Sequence, residues 1–253
     1  MDKLRRILRS TGFVNASSSV LAILVGLVFG FVIMLISNPA QAIQGFGIIL
    51  KGGFSGGARG IGQTLYYAIP IIMTGLSVGF AFKTGLFNIG ASGQFTVGAF
   101  TAILIGIKLN SLPAPLHWII ALLGAMLAGG IWALIPGLFK AYLNVNEVIS
   151  SIMMNYIGLF AVNYAIKHPA LKTAPTIFDT TMNLTSNTAP TSILPKFFLS
   201  YLFPGSTVNI GIIIAILIAV FMYFVLNKTT FGYELKACGY NKHASQYAGI
   251  SEK

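Results

Sequence analysis

Charge is what this sequence has least of. Charged residues are 8% of its 253 positions and only five are Asp or Glu, where an average soluble domain carries about 25% charged residues. The gaps between charges are long: Ser10 to Leu50, Gly60 to Phe82, Thr84 to Ile107, Leu109 to Phe139, Val148 to Ile166 and Phe197 to Asn227. Each holds the roughly 20 apolar residues that a helix needs to cross a hydrocarbon core of about 30 Å. A mean hydropathy of +0.81 agrees. These gaps exclude a soluble protein with an apolar core. The lone Cys238 excludes an intramolecular disulfide. No Gly-Lys dipeptide occurs, so no phosphate-binding loop of the form G-x-x-x-x-G-K-[ST] exists. His117, His168 and His243 lie far apart, without metal-ligand spacing. Five acids give little material for a carboxylate pair or a proton relay. No catalytic residue, metal site or cofactor is expected, and an enzyme is unexpected.

What charge there is has a sign and a place. The net +11 is carried by basic residues flanking apolar runs, not gathered into an aromatic-rich stripe, so a nucleic-acid partner is not expected. Six spans are predicted, near Ser19–Ile36, Ile61–Phe82, Leu86–Ile107, His117–Phe139, Glu147–Ile166 and Asn209–Leu226. Ala40-Gln41-Ala42 resembles a signal-peptide cleavage site, but the apolar run before it is long for a signal and five spans follow, so an uncleaved first span is expected. With a cytosolic N-terminus, Lys3, Arg5, Arg6, Arg9, Lys83, Lys140, Lys228, Lys236, Lys242 and Lys253 fall inside. Lys51, Arg59, Lys108, Lys167, Lys172 and Lys196 fall outside, spread over longer loops, and the bias has the expected sign. Both termini are then cytosolic. The Gly-rich outer connection from Asn38 to Gly60 is predicted to form an interfacial or re-entrant piece. The outer loop over 167–208 either docks an external partner or caps the bundle.

Polar residues inside apolar spans are costly unless they face a cavity or another helix, so their phase is informative. Gln63, Tyr67, Pro70, Thr74 and Ser77 recur at steps of four and three, on one face. Asn88, Ser92 and Thr96 are four apart in the third predicted span. Glu147, Ser151 and Asn155 repeat that spacing in the fifth. Uncharged hydrogen-bonding faces suit a polyol or nucleoside better than an ion; interhelical packing is the competing reading. Gly26/Gly30 and Gly75/Gly79 have the spacing of packing motifs alone. Glu147 also suits a helix N-terminus, where a carboxylate is stabilised.

Three stretches point to one family: Gly85–Phe100 (GLFNIGASGQFTVGAF), Asn146–Ile157 (NEVISSIMMNYI) and Gly232–Ile250 (GYELKACGYNKHASQYAGI). Together they resemble the permeases of bacterial ATP-binding-cassette (ABC) importers for nucleosides and simple sugars, related to the ribose and branched-chain amino acid permeases. The likeness runs from about Ile61 to the end. It implies an all-α transmembrane bundle and a single permease domain over 1–253, and it supports a substrate path through Asn88 and Gln94, to which helical phase adds Thr74, Ser92, Glu147 and Asn155. It also implies that 228–253 is a cytoplasmic coupling segment seated on a partner ATPase. Glu234, Lys236, Ala237, Gly239, Asn241, Ala244, Ala248 and Gly249 fall on that pattern, with Gly239 expected at the turn that begins the coupling helix. An amphipathic helix held by anionic membrane lipid is the competing reading. The family usually has Glu where this chain has Ser92, so a charge-dependent role there does not carry over. Relatives continue for several spans beyond Lys253, so a fragment, a truncated product or half of a split permease is expected.

The expectation is therefore a transport subunit pairing with an ABC ATPase, a second permease subunit and an extracytoplasmic substrate-binding lipoprotein. A secondary carrier or a membrane scaffold are the alternatives; the first lacks acids for a coupling-ion site.

Overall fold

A computed structural model describes residues 11–109, 111–167 and 190–251. Most of the predicted 167–208 loop, the N-terminal basic cluster Lys3 to Arg9 and Lys253 lie outside the described residues. Those described contain helices and no strand. Six of the helices are long and apolar enough to cross a membrane.

The chain divides into two units, residues 1–61 and 62–253. In the first, helix α1 (Thr11–Ser37) meets α2 (Pro39–Lys51) at Asn38. Pro39 at the first helical position has no N–H to leave unpaired, which suits a new helix start. The two helices fold against each other: Phe31 and Phe46 lie 4.7 Å apart at their ring centroids and Ala42 is buried. Ala40-Gln41-Ala42, the cleavage-like triplet, is inside α2.

The second unit takes up most of α3 (Gly57–Lys83), then α4 (Ala91–Lys108), α5 (Ala114–Leu143) and α6 (Glu147–Lys167). A short α7 (Leu199–Leu202) precedes α8 (Gly211–Lys228), α9 (Thr230–Tyr240) and α10 (Lys242–Tyr247). Helices α4, α5 and α6 form the packed centre. Hydrocarbon gives no hydrophobic drive between helices, so close backbone approach at small residues supplies the packing. A Cβ on Gly98 would sit 3.0 Å from the Ala125 carbonyl, so α4 and α5 touch backbone to backbone there. Trp132 Nε1 donates to the Met154 carbonyl at 3.1 Å, tying α5 to α6. At the far end of α3, Leu199, Val208 and Ile212 pack with Leu65, Ile69 and Ile72, which joins α3 to α8.

The spans sit close to expectation, with one difference. The third begins at Ala91, not Leu86. Gly85 adopts φ +74°; Leu86 N–H bonds the Ala81 carbonyl at 3.0 Å and Gly85 N–H that of Phe82 at 3.2 Å. That pair of bonds with a left-handed residue is a Schellman stop, and it ends α3. Residues 84–90 are consequently a non-helical link, however apolar Leu86, Phe87 and Ile89 are.

Candidate functional site

Helix α3, the link and the start of α4 enclose an open groove of about 760 Å³. It is lined by Pro70, Thr74, Phe87, Asn88, Ser92 and Thr96 among others. Pro70 lies inside α3 and removes one helical hydrogen bond. One turn on, Thr74 turns its hydroxyl back to the Pro70 carbonyl at 2.7 Å, and Thr96 does the same to Ser92 at 2.8 Å. A second cavity, about 190 Å³, opens on the other side of the link and is lined by Asn88, Gln94, Lys140, Glu147 and Ser151. Asn88 lines both.

The link is held by amides. Asn88 Oδ1 accepts from Gly90 N–H at 2.9 Å. The Asn88 and Gln94 side chains also exchange hydrogen bonds, at 3.4 and 3.3 Å. Asn155 on α6 accepts from Gly93 N–H at 2.8 Å and donates to the Ile89 carbonyl at 2.8 Å. Both ends of its amide are thus committed to backbone. Glu147 forms an ion pair with Lys140 at 2.9 Å across the α5–α6 connection.

The structure therefore brings Thr74, Asn88 and Ser92 to one groove, and Asn88, Gln94 and Glu147 to the adjoining cavity. Asn155 lies between α6 and the link. The Asn88–Ser92–Thr96 spacing is not a helical stripe as expected, because Asn88 precedes α4; the fold of the link returns it to the same groove.

In the tail, Glu234, Lys236, Ala237 and Gly239 lie on α9, Asn241 separates the helices, Ala244 lies on α10, and Gly249 follows it. Gly239 is not at an entry turn. It sits in the last turn of α9, and the break comes at Asn241 (φ −157°, ψ 107°), whose side chain caps α10 by accepting from Ala244 N–H at 3.1 Å. Gly249 is left-handed at φ +79°. Lys236 donates to Asn227 Oδ1 at 3.3 Å, back toward α8. Ala244 is exposed between Tyr240 and Tyr247, which are 86% and 95% exposed. A third cavity, about 710 Å³, separates the tail from α5 and is lined by Thr84, Lys140, Glu234, Cys238 and Lys242.

Sequence reasoning passed over two residues. Lys140, counted only for its charge, is the partner of Glu147. His117 is fully buried, with Nδ1 2.8 Å from the Thr191 hydroxyl and Nε2 3.1 Å from the Ile105 carbonyl. A carbonyl only accepts, so Nε2 carries the proton. The ring pins the Pro190–Ser192 turn to the facing ends of α4 and α5.

Six helices long and apolar enough to cross a membrane, with one uncharged groove among them, point to a polytopic membrane protein of the permease type. Residues 60–253 match the family described as branched-chain amino acid transport system / permease component, and the chain belongs to it. It is 42% identical over 231 residues to the guanosine ABC transporter permease protein NupP of Bacillus subtilis, covering 91% of this chain and 63% of that protein. It is 37% identical over 242 residues to the nucleoside ABC transporter permease protein NupB of Lactococcus lactis, covering 94% and 66%. The glucose ABC transporter permease protein TsgB13 of Haloferax volcanii is 30% identical over 239 residues, covering 92% and 60%. The chain thus spans less than two thirds of the length of these relatives. No solved structure matches it.

Proposed function

We propose that this chain supplies part of the translocation path in the permease subunit of an ATP-driven importer for nucleosides or simple sugars. The observation that carries this reading is the groove of Thr74, Asn88 and Ser92. It is uncharged, has hydrogen-bonding side chains, and is flanked by the rings of Phe87 and Phe95. Hydroxyls of a ribose or hexose need such donors and acceptors, and a nucleobase stacks on aromatic faces. A carboxylate substrate would call for a cation, and the groove has none. The names of the relatives at 42% and 37% identity point to guanosine and nucleosides.

Energy enters from outside the chain, which has no phosphate-binding loop. The 228–253 segment faces the cytosol and docks on an ABC ATPase through Ala244 and its exposed tyrosines. The 167–208 loop faces outward, toward an extracytoplasmic binding lipoprotein, and a second permease subunit completes the pathway. Alternating access would then expose the groove to either side in turn. Reconstitution of the full-length protein with its transport partners tests this, with labelled guanosine, ribose and leucine as probes. Uptake of guanosine or ribose is expected; uptake of leucine alone would overturn the reading.

A further inference from the structure

The link at residues 84–90 is gripped at both ends, and by different parts of the molecule. At its start, Gly85 lies back to back with Gly239 of the tail. A Cβ on Gly85 would stand 2.9 Å from the Gly239 Cα, and one on Gly239 would stand 2.6 Å from the Lys83 carbonyl oxygen and 2.9 Å from Gly85 N. No side chain intervenes. Two backbones in direct contact have no rotatable side-chain groups to absorb a displacement, so a shift of one is passed to the other. At its end, the Asn155 amide brackets Ile89 and Gly93 with two bonds of 2.8 Å. Between the grips lies Asn88, which with its neighbour Phe87 lines both the groove and the adjoining cavity.

We propose that Gly239 and Asn155 are positioning residues for Asn88: the tail pushes on the link through the Gly239–Gly85 contact, Asn155 holds the far end, and Asn88 is displaced between the two cavities. This rests on the transport reading above. Gly239 then acts inside the subunit, on the link, and lies apart from the surface that meets the ATPase. Asn155 acts through the link and does not touch substrate.

The test uses the full-length protein assembled with its ATPase and binding protein in liposomes, and reads guanosine taken up per ATP hydrolysed. Gly239→Ala forces the tail off the link. Asn155→Asp keeps the acceptor for Gly93 but loses the donor to Ile89. Both should retain the ATPase on co-purification while uptake per ATP falls about tenfold or more, within the usual range of coupling between sites. An unchanged ratio in both variants would overturn the proposal, as would loss of the ATPase on Gly239→Ala, which would put Gly239 in the docking surface. A second arm avoids altering Gly239. Thr84→Cys is placed opposite the native Cys238, since both positions line one cavity. Bridging them with a cleavable bifunctional thiol reagent should stop uptake, and reductant should restore it. Normal uptake by the cross-linked protein would again overturn the proposal. Failure of the transport reading itself is distinguishable: the unsubstituted assembly would import no nucleoside or sugar.

Discussion

Asn88, Thr74 and His117 each present a polar atom to an apolar surrounding, but they are bound to different degrees. Asn88 bonds Gly90 N–H and Gln94 and still borders both cavities. Asn88→Leu in the full-length protein should lower guanosine uptake up to about tenfold, since it removes an amide from both cavities and a lost hydrogen bond is worth about 0.5–1.5 kcal/mol, while recovery from the membrane stays normal. Normal uptake would reduce Asn88 to a packing residue. Thr74→Val should have much less effect, because its hydroxyl already returns to the carbonyls of Pro70 and Ile71. His117→Leu should act on stability, not transport: it strips the Thr191 hydroxyl of its partner, and the loss is about 1–3 kcal/mol. Thermal unfolding in detergent should fall by several degrees, and an unaltered midpoint would refute the latch. The asparagines were legible in sequence as polar interruptions of apolar runs. His117 was not, since Thr191 stands 74 residues away and no periodicity relates them.

At the scale of elements, Ala244→Trp carries the next prediction. The α10 helix is only six residues long, held by the Asn241 cap and the buried Ser245, and it offers Ala244 outward. If it inserts into a groove of the ATPase, overpacking by a tryptophan costs about 1–3 kcal/mol, enough to lower recovery of the ATPase several-fold. Undiminished recovery would remove α10 from the interface. The six spans could be read from hydropathy because each holds 18 or more residues of apolar helix, close to the length a hydrocarbon core requires. The start of the third could not. Leu86, Phe87 and Ile89 add to hydropathy whatever their backbone does, and the stop depends on the φ of Gly85, which composition does not record. The same limit applied to Gly239: a glycine near a helix boundary suggests a turn, whereas here its missing side chain admits the link. That requirement is tertiary, set by residues more than a hundred positions earlier in the chain.

For the molecule as a whole, orientation decides whether the tail can meet a cytosolic ATPase. Lysines in the last turns of helices complicate the argument, because a cation is favoured there by the helix dipole on either side of a membrane. Lys51, Lys108 and Lys167 fall in such turns at the end assigned outside, and Lys83, Lys140 and Lys228 at the end assigned inside. Set aside all six, and Lys3, Arg5, Arg6, Arg9, Lys236, Lys242 and Lys253 still outnumber Arg59, Lys172 and Lys196. The asymmetry therefore does not come from helix capping, and under the positive-inside rule it supports the proposed cytosolic placement of both termini. The orientation is checked with single cysteines in a Cys238→Ser background, at two exposed positions assigned to opposite sides. Ile193→Cys should react with a membrane-impermeant maleimide in intact cells, and Lys242→Cys should react only after the membrane is opened or inverted. Labelling at 242 but not at 193 in intact cells would invert the topology. It would remove the cytosolic docking of α10 and leave the Gly239–Gly85 contact without an ATP-driven partner to move it.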